Sequence, residues 1–127
     1  MHLFQRKSLP INLMAACLLI SQSVSSGEAD VLKVKAFCDD KSLCNFSVQV
    51  EHADQGWQHY ANRWEVLSVD GEILATRELA HPHEQEQPFT RSLTKVPISK
   101  EIKEVVVRAH DSVHGYGGKE VTVTLRE

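Results

Sequence analysis

From Asp30 onward the chain alternates apolar and polar residues with period two, and no stretch holds a helical period over three turns. Successive side chains of a strand point to opposite faces, so such segments bury one face and wet the other. Leu32, Val34, Ala36 and Cys38 mark a first strand, and Cys44, Phe46, Val48 and Val50 a second. Trp64 to Val69 and Glu72 to Leu79 form a third and fourth around Asp70-Gly71, the strongest short hairpin signal in the chain. Phe89 to Leu93 is a fifth; Val105, Val107 and Ala109 mark a sixth, and Val121, Val123 and Leu125 a seventh. Between the fifth and sixth, Val96 to Ile102 reads as a crossing connection with one helical turn begun by Ser99. About seven short strands with turns at this spacing predict an all-β fold, an immunoglobulin- or fibronectin-like antiparallel β-sandwich.

The Asp70-Gly71 turn also predicts a register. A two-residue loop sets Val66 opposite Ala75 and Trp64 opposite Arg77, with Trp64, Val66, Ile73 and Ala75 on the core face. Carried outward, the same count brings Tyr60 opposite His81, with His59 and His83 one step to either side. The second strand ends at His52, and sandwich topology places the loop between the last two strands, with His110, Asp111 and His114, at that same pole. Every histidine beyond Asp30 therefore maps to one end of the domain, and the two cysteines there to the other.

The N-terminus reads as a secretory leader. Arg6 and Lys7 precede an apolar run from Ile11 to Ile20 and then small residues from Ser21 to Gly27, too short and too polar at its exit for a stable membrane span. Residues 1–29 are assigned to this signal peptide and 30–127 to a single domain, with cleavage open after Ser26, Gly27 or Ala29. A rival reading acylates Cys17 after Ala15-Ala16, as in a lipoprotein; Leu18-Leu19-Ile20 continuing the apolar run and Met14 fitting the motif poorly count against it. Either way the expected setting is periplasmic or secreted, by Gram-negative-type export. In that setting Cys38 and Cys44, with five residues between them and no CxxC spacing, predict a structural disulfide.

The chain has 14 Lys and Arg against 17 Asp and Glu; Arg6, Lys7 and Glu28 precede Asp30, which leaves 12 against 16 in the domain. A net acidic domain without a basic run argues against nucleic acid and anionic membrane as partners. An unknown protein or small ligand remains.

The stretch from His81 to Arg91 holds two imidazoles, two carboxylates and a guanidinium between prolines that keep it from being helical. Imidazoles with carboxylates and no thiolate favour Zn²⁺, Cu²⁺ or Ni²⁺. His81 and His83, two apart on an extended chain, can reach one ion, with His59 or His114 completing three ligands and water, Glu84, Glu86 or Asp111 a fourth. Against this stands the plainer reading of polar loop histidines bonded to backbone. Metal binding of this kind weakens as pH falls through about 6.5, where free imidazole protonates.

Arg91, between Phe89 and Leu93, is expected to point inward and to need a carboxylate such as Glu65, Glu78 or Asp111, or to clamp an anion. Trp64 is expected in the core with Arg77 against its ring. Trp57 and Tyr60, with Arg91 and Asp111, offer a surface for a protein or glycan. No catalytic set is legible: Ser112 lies near Asp111 and His114 without the strained turn that presents a nucleophile, so binding ranks ahead of enzyme activity.

The combination of His59-Tyr60-Ala61-Asn62-Arg63-Trp64, His81-Pro82-His83 through Gln87-Pro88-Phe89-Thr90-Arg91, and His114-Gly115-Tyr116-Gly117-Gly118 resembles a group of small exported bacterial proteins of unassigned function. The resemblance covers most of the chain after the leader. It implies a bacterial periplasmic setting and brings no activity with it.

Overall fold

The computed structural model describes residues 27–127; Cys17 and residues 1–26 of the leader reading fall outside them. Seven strands follow in chain order: β1 (Asp30–Cys38), β2 (Leu43–Glu51), β3 (Ala61–Ser68), β4 (Ile73–Glu78), β5 (Phe89–Pro97), β6 (Glu104–Asp111) and β7 (Val121–Thr124). They form two antiparallel sheets, ordered β1-β2-β5 and β4-β3-β6-β7. The predicted sandwich is therefore the observed one. Phe46, Val48 and Val50 of β2 pack with Trp64 and Val66 of β3, Phe89 of β5 and Val105 and Val107 of β6 in one fully buried cluster. Burying a phenylalanine or valine side chain here contributes roughly 1.5–3 kcal/mol.

Cys38 and Cys44 are register partners across the β1–β2 turn and are joined by a disulfide. Their end of the sandwich is opposite the one where β2 and β6 finish.

Two bulges adjust the predicted strands. The β3–β4 loop spans Val69, Asp70 and Gly71: the Ser68 N–H donates to Glu72 O at 2.8 Å and the Gly71 N–H to Ser68 O at 2.9 Å, with Gly71 at φ 92°. That is a three-residue turn closed by a glycine in the left-handed region. A bulge between Val66 and Leu67 absorbs the extra residue, so Leu67 pairs with Ile73 while Val66–Ala75 and Trp64–Arg77 pair as expected. Ile73 is thereby turned to solvent and leaves the core face assigned to it. In β1, a bulge between Val31 and Lys33 reverses the alternation, burying Val31 and exposing Leu32.

Arg77 does not lie on the Trp64 ring. Its Nε donates to Ser92 O of β5 at 2.9 Å, tying the edge strand of one sheet to the edge strand of the other. Within β5, Lys95 adopts φ 58° and its N–H donates to Asn45 Oδ1 at 2.9 Å, where the β2–β5 ladder shifts register.

Candidate metal centre

Three segments converge at the pole away from the disulfide. β2 ends at Glu51, and His52 turns inward immediately after it. Asp111 closes β6 as the register partner of Ala61, which opens β3. The loop between β2 and β3 supplies Asp54 and His59. One nitrogen each from His52 and His59 and one oxygen of Asp111 lie within 4.8 Å of one another.

The outer contacts of each imidazole fix its proton. Asp54 Oδ1 accepts from the Ala61 N–H at 3.0 Å and its Oδ2 from the His83 N–H at 2.6 Å, so this carboxylate is an acceptor. His52 Nδ1, 2.5 Å from Asp54 Oδ1, must then carry a hydrogen, which in the neutral imidazole leaves the lone pair on Nε2. His59 Nδ1 faces the side-chain amide of Gln55, 3.2 Å from Oε1, and donates to that oxygen when it carries the ring proton. Both Nε2 atoms turn toward Asp111 Oδ2, His59 at 2.7 Å and His52 in closer contact. Gly27 O joins them, 2.8 Å from His52 Nε2 and 3.3 Å from His59 Nε2.

With both imidazoles neutral and protonated at Nδ1, the two Nε2 atoms, a carboxylate oxygen and a carbonyl oxygen are four acceptors without a donor among them. Only a cation, whether a proton or a metal, reconciles them. Asp111 Oδ2 is buried and its contacts lack hydrogen-bond geometry, while its Oδ1 is already occupied by the N–H groups of Val113 at 2.7 Å and His114 at 2.5 Å. The side chain of Asp111 is 0% exposed. Burial pushes its carboxyl upward, but those two N–H groups together with His52 and His59 outweigh it and hold the group below its ordinary value. The donor set fits a divalent ion: two imidazoles and a carboxylate suit zinc or copper, and anchored Nδ1–H groups are what orient metal-binding histidines. Ligand atoms around a tetrahedral zinc stand roughly 3.4 Å apart, so an ion opens this cluster slightly as it enters. His59, 17% exposed, leaves a side open to solvent.

The predicted ligands divide into two pairs. His59 belongs to the cluster, and His114 flanks it without joining it, its ring 4.9 Å from that of His59 and its Nδ1 3.1 Å from Asp111 Oδ1. His81 and His83 pair with each other, rings 4.6 Å apart, and line a cleft of about 580 Å³ with Trp57, Pro82, Glu86 and Arg91. The β3–β4 ladder ends at Arg63–Glu78, short of the register that would have joined His59 to His83. Instead His83 is buried, stacked on Phe89 at 4.1 Å, with neither ring nitrogen bonded. Burial, then Arg91 and His81, lower its affinity for a proton.

Arg91 is half-buried and pairs with Glu86 at 2.8 Å, while Glu65 is taken by Arg108 at 3.0 Å. Trp57 is 67% exposed and meets Tyr60 edge-on at 5.7 Å. His110 donates or accepts elsewhere, 2.7 Å from Asn62 Oδ1. The ligand that sequence reasoning omitted is His52. Its signal was present in the sequence, at the inward-facing exit of β2 and two residues before Asp54.

The chain is 41% identical over 96 residues to a protein of the haloarchaeon Halomicrobium mukohataei named "Putative lipoprotein", a match covering 76% of this chain. It spans about half the length of that relative, 47%. No family description and no solved structure matches the chain.

Proposed function

We propose that the protein is an exported binding module that holds one divalent transition-metal ion, Cu²⁺, Zn²⁺ or Ni²⁺, with His52 Nε2, His59 Nε2 and Asp111 Oδ2 as ligands. The observation that carries this reading is the convergence of two imidazole nitrogens and a carboxylate oxygen on one buried point, with Asp54 and Gln55 placed against the outer nitrogen of each ring. Export is supported by the leader-like N-terminus and by similarity to a protein named as a lipoprotein, which also keeps anchoring through Cys17 in play. Elemental analysis of untagged protein from an export-competent host, followed by titration with the three ions, tests the reading. One tightly bound equivalent that disappears in His52→Ala is the expected result; binding no stronger than that of a scattered-histidine control protein sinks it.

A second reading is favoured by the exposure of Trp57 beside the cleft that His81, His83 and Arg91 line. In it, that pole contacts a protein or glycan without metal. Partners retained from a periplasmic extract in the presence of chelator support this alternative, and partners lost with chelator support the first.

A further inference from the structure

We propose that Gly27 is the amino terminus of the working protein, and that its α-amino nitrogen and carbonyl oxygen chelate the same ion. This rests on the metal reading above. The carbonyl is already in place, within 3.3 Å of both ligand nitrogens. The residue bearing it must be glycine: a Cβ there would stand 2.1 Å from His114 Cε1, and φ is +129°. Backbone has been brought up to the ligand nitrogens where a side chain would not fit.

The segment that follows is built into the fold. Ala29 is buried, and its carbonyl lies so close to Gly118 that a Cβ on the latter would be 1.9 Å away. The Lys119 N–H donates to Asp30 Oδ1 at 2.7 Å, and the Val31 N–H to Lys119 O at 2.8 Å. Cleavage after Ala29 would delete a core residue, and cleavage after Gly27 would delete the carbonyl. Cleavage after Ser26, with Val24 and Ser26 at the positions an export peptidase reads, keeps both. The domain boundary then moves from residue 29 to 26.

Peptidase-catalysed hydrolysis of the Ser26–Gly27 bond consumes one water and leaves a carboxylate on Ser26 and an ammonium on Gly27. Coordination sends a proton of that ammonium to solvent and closes a five-membered ring of ion, nitrogen, Cα, carbonyl carbon and oxygen. Three nitrogens and two oxygens result, a set for which the Irving–Williams order ranks Cu²⁺ above Ni²⁺ and Zn²⁺.

The test compares two purified proteins, one beginning at Gly27 and one retaining Ser25 and Ser26, each titrated with Cu²⁺ and read by electron paramagnetic resonance with and without ¹⁵N-glycine labelling. In parallel, the mature chain recovered from the periplasm is sequenced from its amino end. Expected are a native start at Gly27, at least about tenfold tighter Cu²⁺ binding by the Gly27-start protein, and a nitrogen coupling that changes with ¹⁵N-glycine in that protein alone. Equal affinity and identical spectra in the two, or a native start at any other residue including Cys17, overturn the chelating terminus. Binding by both proteins then leaves the His52–His59–Asp111 site standing; binding by neither removes both readings.

Discussion

His52 Nδ1 stands 2.5 Å from Asp54 Oδ1, which places the proton of the imidazole on the side away from Asp111. The same carboxylate holds the His83 N–H, so one buried group sets both the tautomer of a ligand and the path of the neighbouring loop. Asp54→Asn should lower metal affinity by about tenfold to a hundredfold, the usual cost of losing a carboxylate behind a ligating histidine. Stoichiometry should stay at one ion, as isothermal titration would show. An unchanged affinity would mean that His52 is not oriented by this contact.

Separate substitutions distinguish the two histidine pairs. His52→Ala or His59→Ala should abolish tight binding, whereas His81→Ala combined with His83→Ala should leave it within a small factor of the parent. Metal at a hundred times its dissociation constant should stabilise the parent by about 2.7 kcal/mol, and a thermal-shift assay should lose that increment only in the first pair. The opposite pattern would return the site to the His81–His83 stretch.

The disulfide is remote from this chemistry. Replacing Cys38 and Cys44 by serine should cost about 2 kcal/mol of stability, as expected for a short closed loop. The measurement is a urea midpoint, with metal titration alongside. Affinity should be unaffected, because the bond and the metal cluster occupy opposite poles.

His83 gives the protein a pH dependence of defined sign. Burial, Arg91 and His81 lower its pKa in the folded state, outweighing Asp54 and Glu86. Both states are neutral above about 6.5, and as pH falls below that value only the unfolded chain takes up the proton. Stability should therefore decline as pH drops from about 6.5 until the folded imidazole also protonates. His83→Phe, which keeps a ring on Phe89, should flatten the fall of the urea midpoint below about pH 6.5; a parent and variant with parallel profiles would rule His83 out as the source.

The fold was legible because apolar and polar residues alternate over much of β2, β5 and β6, and Val66–Ala75 and Trp64–Arg77 pair as counted from a single turn. What the alternation does not carry is the extra residue of a bulge. The bulges beside Leu67 and Val31 turned Ile73 and Leu32 outward without leaving a mark in composition. The histidine pole was legible from topology, since strand ends are set by strand order. Membership of the cluster was not. It depends on loop paths after β2 and β4, where His52 turns in and His81 turns away, and hydrogen bonds accepted by Asp54 and exchanged with Gln87, rather than periodicity, hold His52 and His83 there.

The reach of Arg77 to Ser92 has a bearing on how these molecules meet one another. An edge strand with free carbonyls is a template for a neighbour's strand, and crowding in a confined compartment multiplies such encounters. Here Arg77 of β4 lays its guanidinium on the Ser92 carbonyl of β5, and a left-handed lysine sits in the length of β5, so a second chain approaching that edge finds both a charge and a break in the pleat. The domain is armed against polymerising through β5.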